Sequence, residues 1–100
     1  MAMKPRDVEF DALGQIARSS DRTKIVRYLR RHPGTYFAAI VAGSGVNGGS
    51  LSKHLSELEK QGIVVADLSR SERRGRAARW SIDDERLRAL LRRFQDELLG

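Results

Sequence analysis

The hydrophobic pattern is clearest in the stretch Ser50 to Val64, SLSKHLSELEKQGIV, where Leu51, Leu55 and Leu58 recur at i, i+4 and i+7. At roughly 100° per residue, this spacing stacks the three leucines on one side of an α-helix. Gly49, Lys53, Ser56 and Lys60 fall on the opposite side, and Ser50, Ser52 and Glu57 flank them. Asn47 is the expected N-cap, and Gly62 is placed to close the C-terminal end. The outward face of the first two turns is short, small and polar, with no acid before Glu57. Such a face suits a helix end pressed against a phosphate-lined groove.

The pattern upstream predicts three more helices. Residues 1–6 are polar, include Pro5, and are expected to fray. From about Asp7, the side chains of Phe10, Leu13, Ile16 and Ala17 share a helical face that ends near Ser19. Asp21 is the expected N-cap of the next helix, with Ile25, Val26 and Leu29 as its buried stripe and Tyr28 at the edge. His32-Pro33-Gly34 ends it, since proline cannot continue the hydrogen bonding and glycine admits the turn. Thr35 is the expected cap of a short helix over 36–42, with Phe37, Ile40 and Val41 facing inward. The segment Gly43 to Asn47 then turns into the leucine-striped helix, making a helix-turn-helix. Gly48 and Gly49 carry the glycine run into the first turn of that helix, at about 1 kcal/mol each. Either that end is a weak helix start, or its backbone must come close to something.

After Gly62, Ile63, Val64 and Val65 read as a strand, and Ala77 to Ile82 reads as its antiparallel partner with Trp80 and Ile82 on one face. The polar stretch Asp67 to Arg76 joins them, with Gly75 as a turn residue, in the manner of the wing of a winged helix. Asp83 can cap a last helix over 83–99, where Asp84 and Glu85 sit favourably at the positive end of the dipole. Its apolar stripe is Leu87, Leu90, Leu91, Phe94 and Leu98. The expected fold is therefore mainly α with a small β-hairpin, a winged helix-turn-helix of order α-α-α-α-β-wing-β-α. Residues 7–100 form one domain. Part of the last stripe packs on the first helix, and the remainder would be exposed on a monomer, which argues for a partner; Leu91, Phe94 and Leu98 read either as core that closes the domain or as an interface shared with Leu87, Phe10 and Leu13.

Composition narrows the function class. One hundred residues, 40% hydrophobic and 32% charged, describe one globular domain with a modest core. There is no apolar run of about 18 residues for a membrane span, and no apolar h-region after the first methionine, so the expected location is the cytoplasm. Zero cysteines exclude disulfides, thiolate metal sites and cysteine nucleophiles. Nineteen basic against thirteen acidic residues leave +6, which favours an anionic partner, nucleic acid first.

The distribution of charge says more than its sum. Between Arg70 and Arg79 the wing carries Arg70, Arg73, Arg74, Arg76 and Arg79 against one acid, Glu72, which is +4 of the total. Guanidinium is always charged and grips phosphate as a fork. A hairpin of arginines beside a recognition helix would reach backbone phosphates or a minor groove; its other reading is a solvated loop that aids solubility. On the helix, Gly49, Ser50, Ser52 and Lys53 are the leading candidates for DNA contact through the helix N-terminus, hydroxyls and ammonium. Ser56 lies further along the face, and Lys60 answers the helix C-terminus. His54 sits nearer the leucine stripe, where packing or hydrogen bonding competes with base contact. No catalytic spacing of Ser, His and Asp and no phosphate loop is present, so neither an enzyme nor a bound cofactor is expected.

The order Ser50, Ser52, Lys53, His54, Leu55, Leu58, Gly62, Ile63, Val64 resembles the recognition helix and following strand of ArsR-type winged helix-turn-helix regulators, and the context extends from about Leu13 to Leu91. MarR regulators share the architecture. The resemblance implies a dimeric repressor of transcription that binds double-stranded DNA and dimerises through terminal helices, with Ser52, Lys53 and His54 at the family's S-R-H segment. Many ArsR-type proteins sense metal through cysteine pairs or through His and Asp on the last helix. This chain departs from that: its histidines, His32 and His54, lie in different elements, and Asp83, Asp84, Asp96 and Glu97 read as helix-end and solvent residues. No metal site is expected. Two rivals remain open: a DNA-binding accessory protein of plasmid, phage or chromatin type without strong operator preference, and a winged helix that binds protein.

Overall fold

The computed structural model describes Gly14, Ile16 and residues 19–100. Gly14 and Ile16 are helical, and Ile16 joins the core. The frayed residues 1–6, the rest of the first expected helix, and the interface candidates Phe10 and Leu13 lie outside the described residues. The elements that follow are α1 (Ser20–Arg31), β1 (Thr35–Tyr36), α2 (Phe37–Ser44), α3 (Gly48–Lys60), β2 (Val64–Ala66), a 3-10 turn (Ser71–Arg73), β3 (Arg79–Ile82) and α4 (Asp84–Leu99).

Helix α1 starts earlier than its pattern suggests. Ser19, not Asp21, is the N-cap: its side chain accepts from the Arg22 amide at 3.2 Å. Asp21 falls in the first turn, where its charge complements the dipole instead. Ile25, Val26 and Leu29 are buried as expected, and the His32 amide closes the helix on the Tyr28 carbonyl at 2.9 Å.

The segment after Pro33 departs from expectation. Thr35 caps no helix; its hydroxyl donates to the His32 carbonyl, and Thr35–Tyr36 is a short strand. Strand β1 pairs antiparallel with β3, Thr35 opposite Trp80 and Tyr36 opposite Arg79, so the sheet is three-stranded in the order β1-β3-β2. The Gly34 amide, with Gly34 at φ +72°, donates to the Trp80 carbonyl and the Ser81 hydroxyl and starts this pairing. Helix α2 consequently begins one residue late and runs on to Ser44, where Gly45 turns left-handed at φ +80°. Gly43 lies inside it because the Tyr28 ring of α1 occupies the space a Cβ would need.

Helix α3 follows the pattern closely. The Asn47 side chain accepts from the Ser50 amide at 2.9 Å, Leu51, Leu55 and Leu58 are buried, and Gly62 takes φ +75° just past the end. The Ile63 amide returns to the Leu58 carbonyl, and the chain enters β2 with Val64 opposite Ile82 and Ala66 opposite Trp80. One core joins Ile25 and Leu29 of α1, Ile40 of α2, the three leucines of α3, Ile63, Val64, Trp80 and Leu90 of α4. Val46 in the turn and Ala78 before β3 complete it. Helix α4 is capped by Asp83, which accepts from the Arg86 amide at 3.0 Å.

Candidate nucleic-acid interface

The leucine stripe presses one side of α3 into the core and leaves the other side outward. Gly49, Ser52 and Lys53 are exposed there, and Ser50 and Ser56 are half-exposed. A Cβ on Gly48 or Gly49 would meet only ordinary contact distances within the chain. The fold itself therefore demands neither glycine. Between weak start and close approach, what remains to explain them is whatever the helix end approaches from outside, or tolerance of a weak start.

The wing is folded rather than loose. Ser69 donates its amide (3.1 Å) and hydroxyl (2.6 Å) to Glu72 Oε1, which closes the 3-10 turn and holds the Glu72 carboxyl below the usual carboxylate range. Arg73 turns inward. Its two terminal nitrogens donate to the two carboxylate oxygens of Glu59 on α3, its Nε donates to the Leu68 carbonyl at 3.0 Å, and its guanidinium lies 4.8 Å from the centre of the Trp80 ring. Arg70 approaches the same carboxylate at 3.6 Å. The hydrogen bond from Arg73, then the charges of Arg73 and Arg70, keep the Glu59 carboxyl low against its partial burial. Glu59 thus latches the wing to the recognition helix.

Around this latch lies a cleft of about 240 Å³ lined by Ser52, Ser56 and Glu59 of α3, Arg70 and Arg73 of the wing, and Phe37, Leu55 and Trp80 beneath. Members of two sets of sequence candidates, Ser52 and Ser56 of α3 and Arg70 and Arg73 of the wing, meet at one place. Arg74 and Arg76 are exposed, and neither side chain forms a hydrogen bond or ion pair among the described residues. Arg79 is held apart on β3, donating to the Tyr36 hydroxyl at 3.0 Å above that ring.

His54 turns away from the outward face. Its Nδ1 accepts from Arg22 Nε at 3.1 Å, and Asp21 lies 3.9 Å from Nε2, so the ring ties α3 to α1. Burial, then the Arg22 charge, lowers its pKa despite Asp21. A histidine lowered in the fold binds its proton better when unfolded. Stability should therefore be level above the unfolded pKa of about 6.5 and decline as pH falls below it, and His54→Gln should flatten that decline. Denaturant titrations from pH 8 to 5 check this; an equal decline in both proteins would refute it.

Helix α4 divides its stripe. Leu87 and Leu90 are buried within the chain, so Leu87, 8% exposed, offers a partner little surface, contrary to expectation. Leu91, Leu98 and Leu99 are exposed at 48%, 63% and 79%. Phe94 is half-exposed.

Neither Glu59 nor Arg22 stands out in the sequence. An acid one turn after Leu55, on a helix whose outward face carries serines and lysines with one other acid, Glu57, is the one cue to the latch.

Residues 19–65 match the family model described as bacterial regulatory protein, arsR family. Over this stretch the chain is similar to that family. The match spans α1, the helix-turn-helix and the start of β2. The solved structure of NolR from Sinorhizobium fredii superimposes with a TM-score of 0.63 at 20% identity, covering 100% of this chain and 97% of that one. At that identity the likeness establishes the shared winged helix-turn-helix fold. No curated protein sequence matches the chain. Among the described residues no helix is long and apolar enough to cross a membrane.

Proposed function

We propose that this ArsR-like protein is a sequence-specific regulator of transcription that binds double-stranded DNA as a homodimer and represses by covering its operator. The observation that carries the reading is the joint placement of Ser52 and Ser56 of α3 with Arg70 and Arg73 of the wing on one cleft, with exposed Lys53 next to Ser52 in the chain. In this reading Gly49, Ser50, Ser52, Lys53 and Ser56 face the major groove, while Arg70, Arg74 and Arg76 grip the backbone. His54 and Arg73 act indirectly, His54 by seating α3 on α1 and Arg73 by holding the wing. Fluorescence anisotropy tests it, with a labelled duplex from upstream of the protein's own gene against a scrambled duplex at matched salt. Tighter binding of the native duplex is expected. Equal, salt-dependent binding of both would favour the accessory-protein reading, and no binding of either would favour a protein partner.

The dimer rests on α4. Leu91 and Leu98, one heptad apart, are exposed on one helix face with Phe94 between them. A two-fold pairing there would set two α3 helices about 34–36 Å apart, one turn of duplex. Leu91→Asp with Leu98→Asp should convert the dimer to a folded monomer in sedimentation. A double variant that sediments as the parent does would place the interface elsewhere.

A further inference from the structure

A second basic surface lies outside the recognition helix and the wing. Lys24, Arg27 and Arg31 recur at i, i+3 and i+7 along α1, which puts them on one face, opposite Ile25, Val26 and Leu29. All three are exposed, and none of their side chains has a hydrogen bond or ion pair among the described residues. Their neighbour Arg30 behaves differently, meeting Asp84 at 2.8 Å on the flank of the helix. An ordinary exposed helix face alternates sign and gains from pairs three and four residues apart. Here the same spacing sets like charges side by side, which opposes folding. Arg31 gains something from the helix C-terminus; Lys24, at the other end of the stripe, does not.

The stripe opens on the helix-turn-helix. Lys24, Arg27, Arg31 and His32 share one groove with Gly43 and Ser44, the last residues of α2 before the turn into α3. Ser44 Oγ accepts from the Val46 amide at 3.2 Å, which leaves its own proton to donate. A row of cations unpaired among the described residues, beside a hydroxyl, matches a repeating anion. Seven residues of helix rise about 10.5 Å, and one DNA strand presents a phosphate about every 3.4 Å of duplex axis. The stripe therefore spans the axial rise of about three base steps, and its long side chains bring two or three phosphates of one strand within reach.

We infer that Lys24, Arg27 and Arg31 form an additional phosphate-binding surface that holds the duplex backbone flanking the stretch read by α3. The inference rests on the DNA-binding reading above. Such a surface lengthens the footprint of each protomer and adds affinity that is independent of sequence.

The test is anisotropy of the full chain and of a Lys24→Gln, Arg27→Gln, Arg31→Gln variant on random duplexes of about 12 and 30 base pairs, across salt. With about 0.9 taken from the slope per phosphate released, the variant's plot of log affinity against log salt on the longer duplex should be shallower by about 2–3. The parent should gain more than the variant from the added length. A slope within about 0.5 of the parent on both duplexes would overturn the proposal and point to an acidic protein surface as the partner. A parent that binds neither duplex at low salt would sink the DNA-binding reading, and this inference with it. Should the triple variant fail to fold by circular dichroism, Arg27→Gln alone carries the test, with an expected decrease of about 0.9 in slope and an unchanged slope overturning it.

Discussion

Replacing Leu55 by alanine is expected to lower the stability of the fold by about 2–5 kcal/mol. Leu55 is 2% exposed, between Leu51 and Leu58 at 0%, in a core fed by α1, α2, α3, the sheet and α4. The cavity would open beneath α3, and each neighbour is fixed by its own element, so the site has little room to collapse. Against a total of about 5–15 kcal/mol for a domain of this kind, the loss takes a large share of the whole. Lys53, two residues away, provides the contrast. Its side chain is exposed and unpaired among the described residues, so Lys53→Ala should leave stability within about 0.5 kcal/mol of the parent. The same change should weaken binding to the native duplex by about 1–3 kcal/mol and to a random duplex by less. Urea titration and duplex anisotropy on both variants make the comparison. A near-neutral Leu55→Ala would mean that α3 is seated by something other than its leucines, and equal losses on both duplexes for Lys53→Ala would remove it from base reading.

That helix was legible because each of its determinants is local. The leucine spacing, the Asn47 cap and the Gly62 close all lie within one stretch, and each acts through neighbours in sequence. Strand β1 was not legible for the opposite reason. Two residues, Thr35 and Tyr36, become a strand only because Trp80 and Arg79 arrive beside them, and nothing within the local stretch distinguishes that from a helix cap. The Ser19 cap was obscured because serine and aspartate are both good N-caps, and three stand in succession at Ser19, Ser20 and Asp21. The wing shows the limit for function. Charge counting sees five equivalent arginines, whereas the fold gives Arg73 to Glu59 and Trp80 and Arg79 to Tyr36, and leaves Arg74 and Arg76 outward. Composition states that a surface is basic; partner geometry decides which charges remain for a ligand.

The same division among the arginines sets the second large effect. If six to ten phosphates are neutralised across the site, affinity for duplex should fall by about 10³–10⁵ between 50 and 200 mM salt. Arg74→Ala with Arg76→Ala should then flatten the salt slope by up to about 2, roughly 0.9 for each phosphate no longer neutralised, and should weaken native and random duplexes alike. Arg73→Ala should behave differently, because its charge is already met by Glu59 and its guanidinium supports Trp80. Its salt slope should stay near the parent's while the fold loses stability, and Glu59→Gln should lose stability in the same way. The Glu59 carboxyl is held low in the fold, chiefly by Arg73, so this contribution is complete above the unfolded carboxylate range and disappears as acid protonates the folded group. The stability gap between the parent and Glu59→Gln should therefore narrow with falling pH. Titration of salt for binding and of urea for stability, on the same four proteins, separates an arginine that neutralises phosphate from one that only holds the wing. Equal flattening for Arg73→Ala and for the Arg74, Arg76 pair would show that the latch opens on the duplex and that Arg73 trades Glu59 for phosphate.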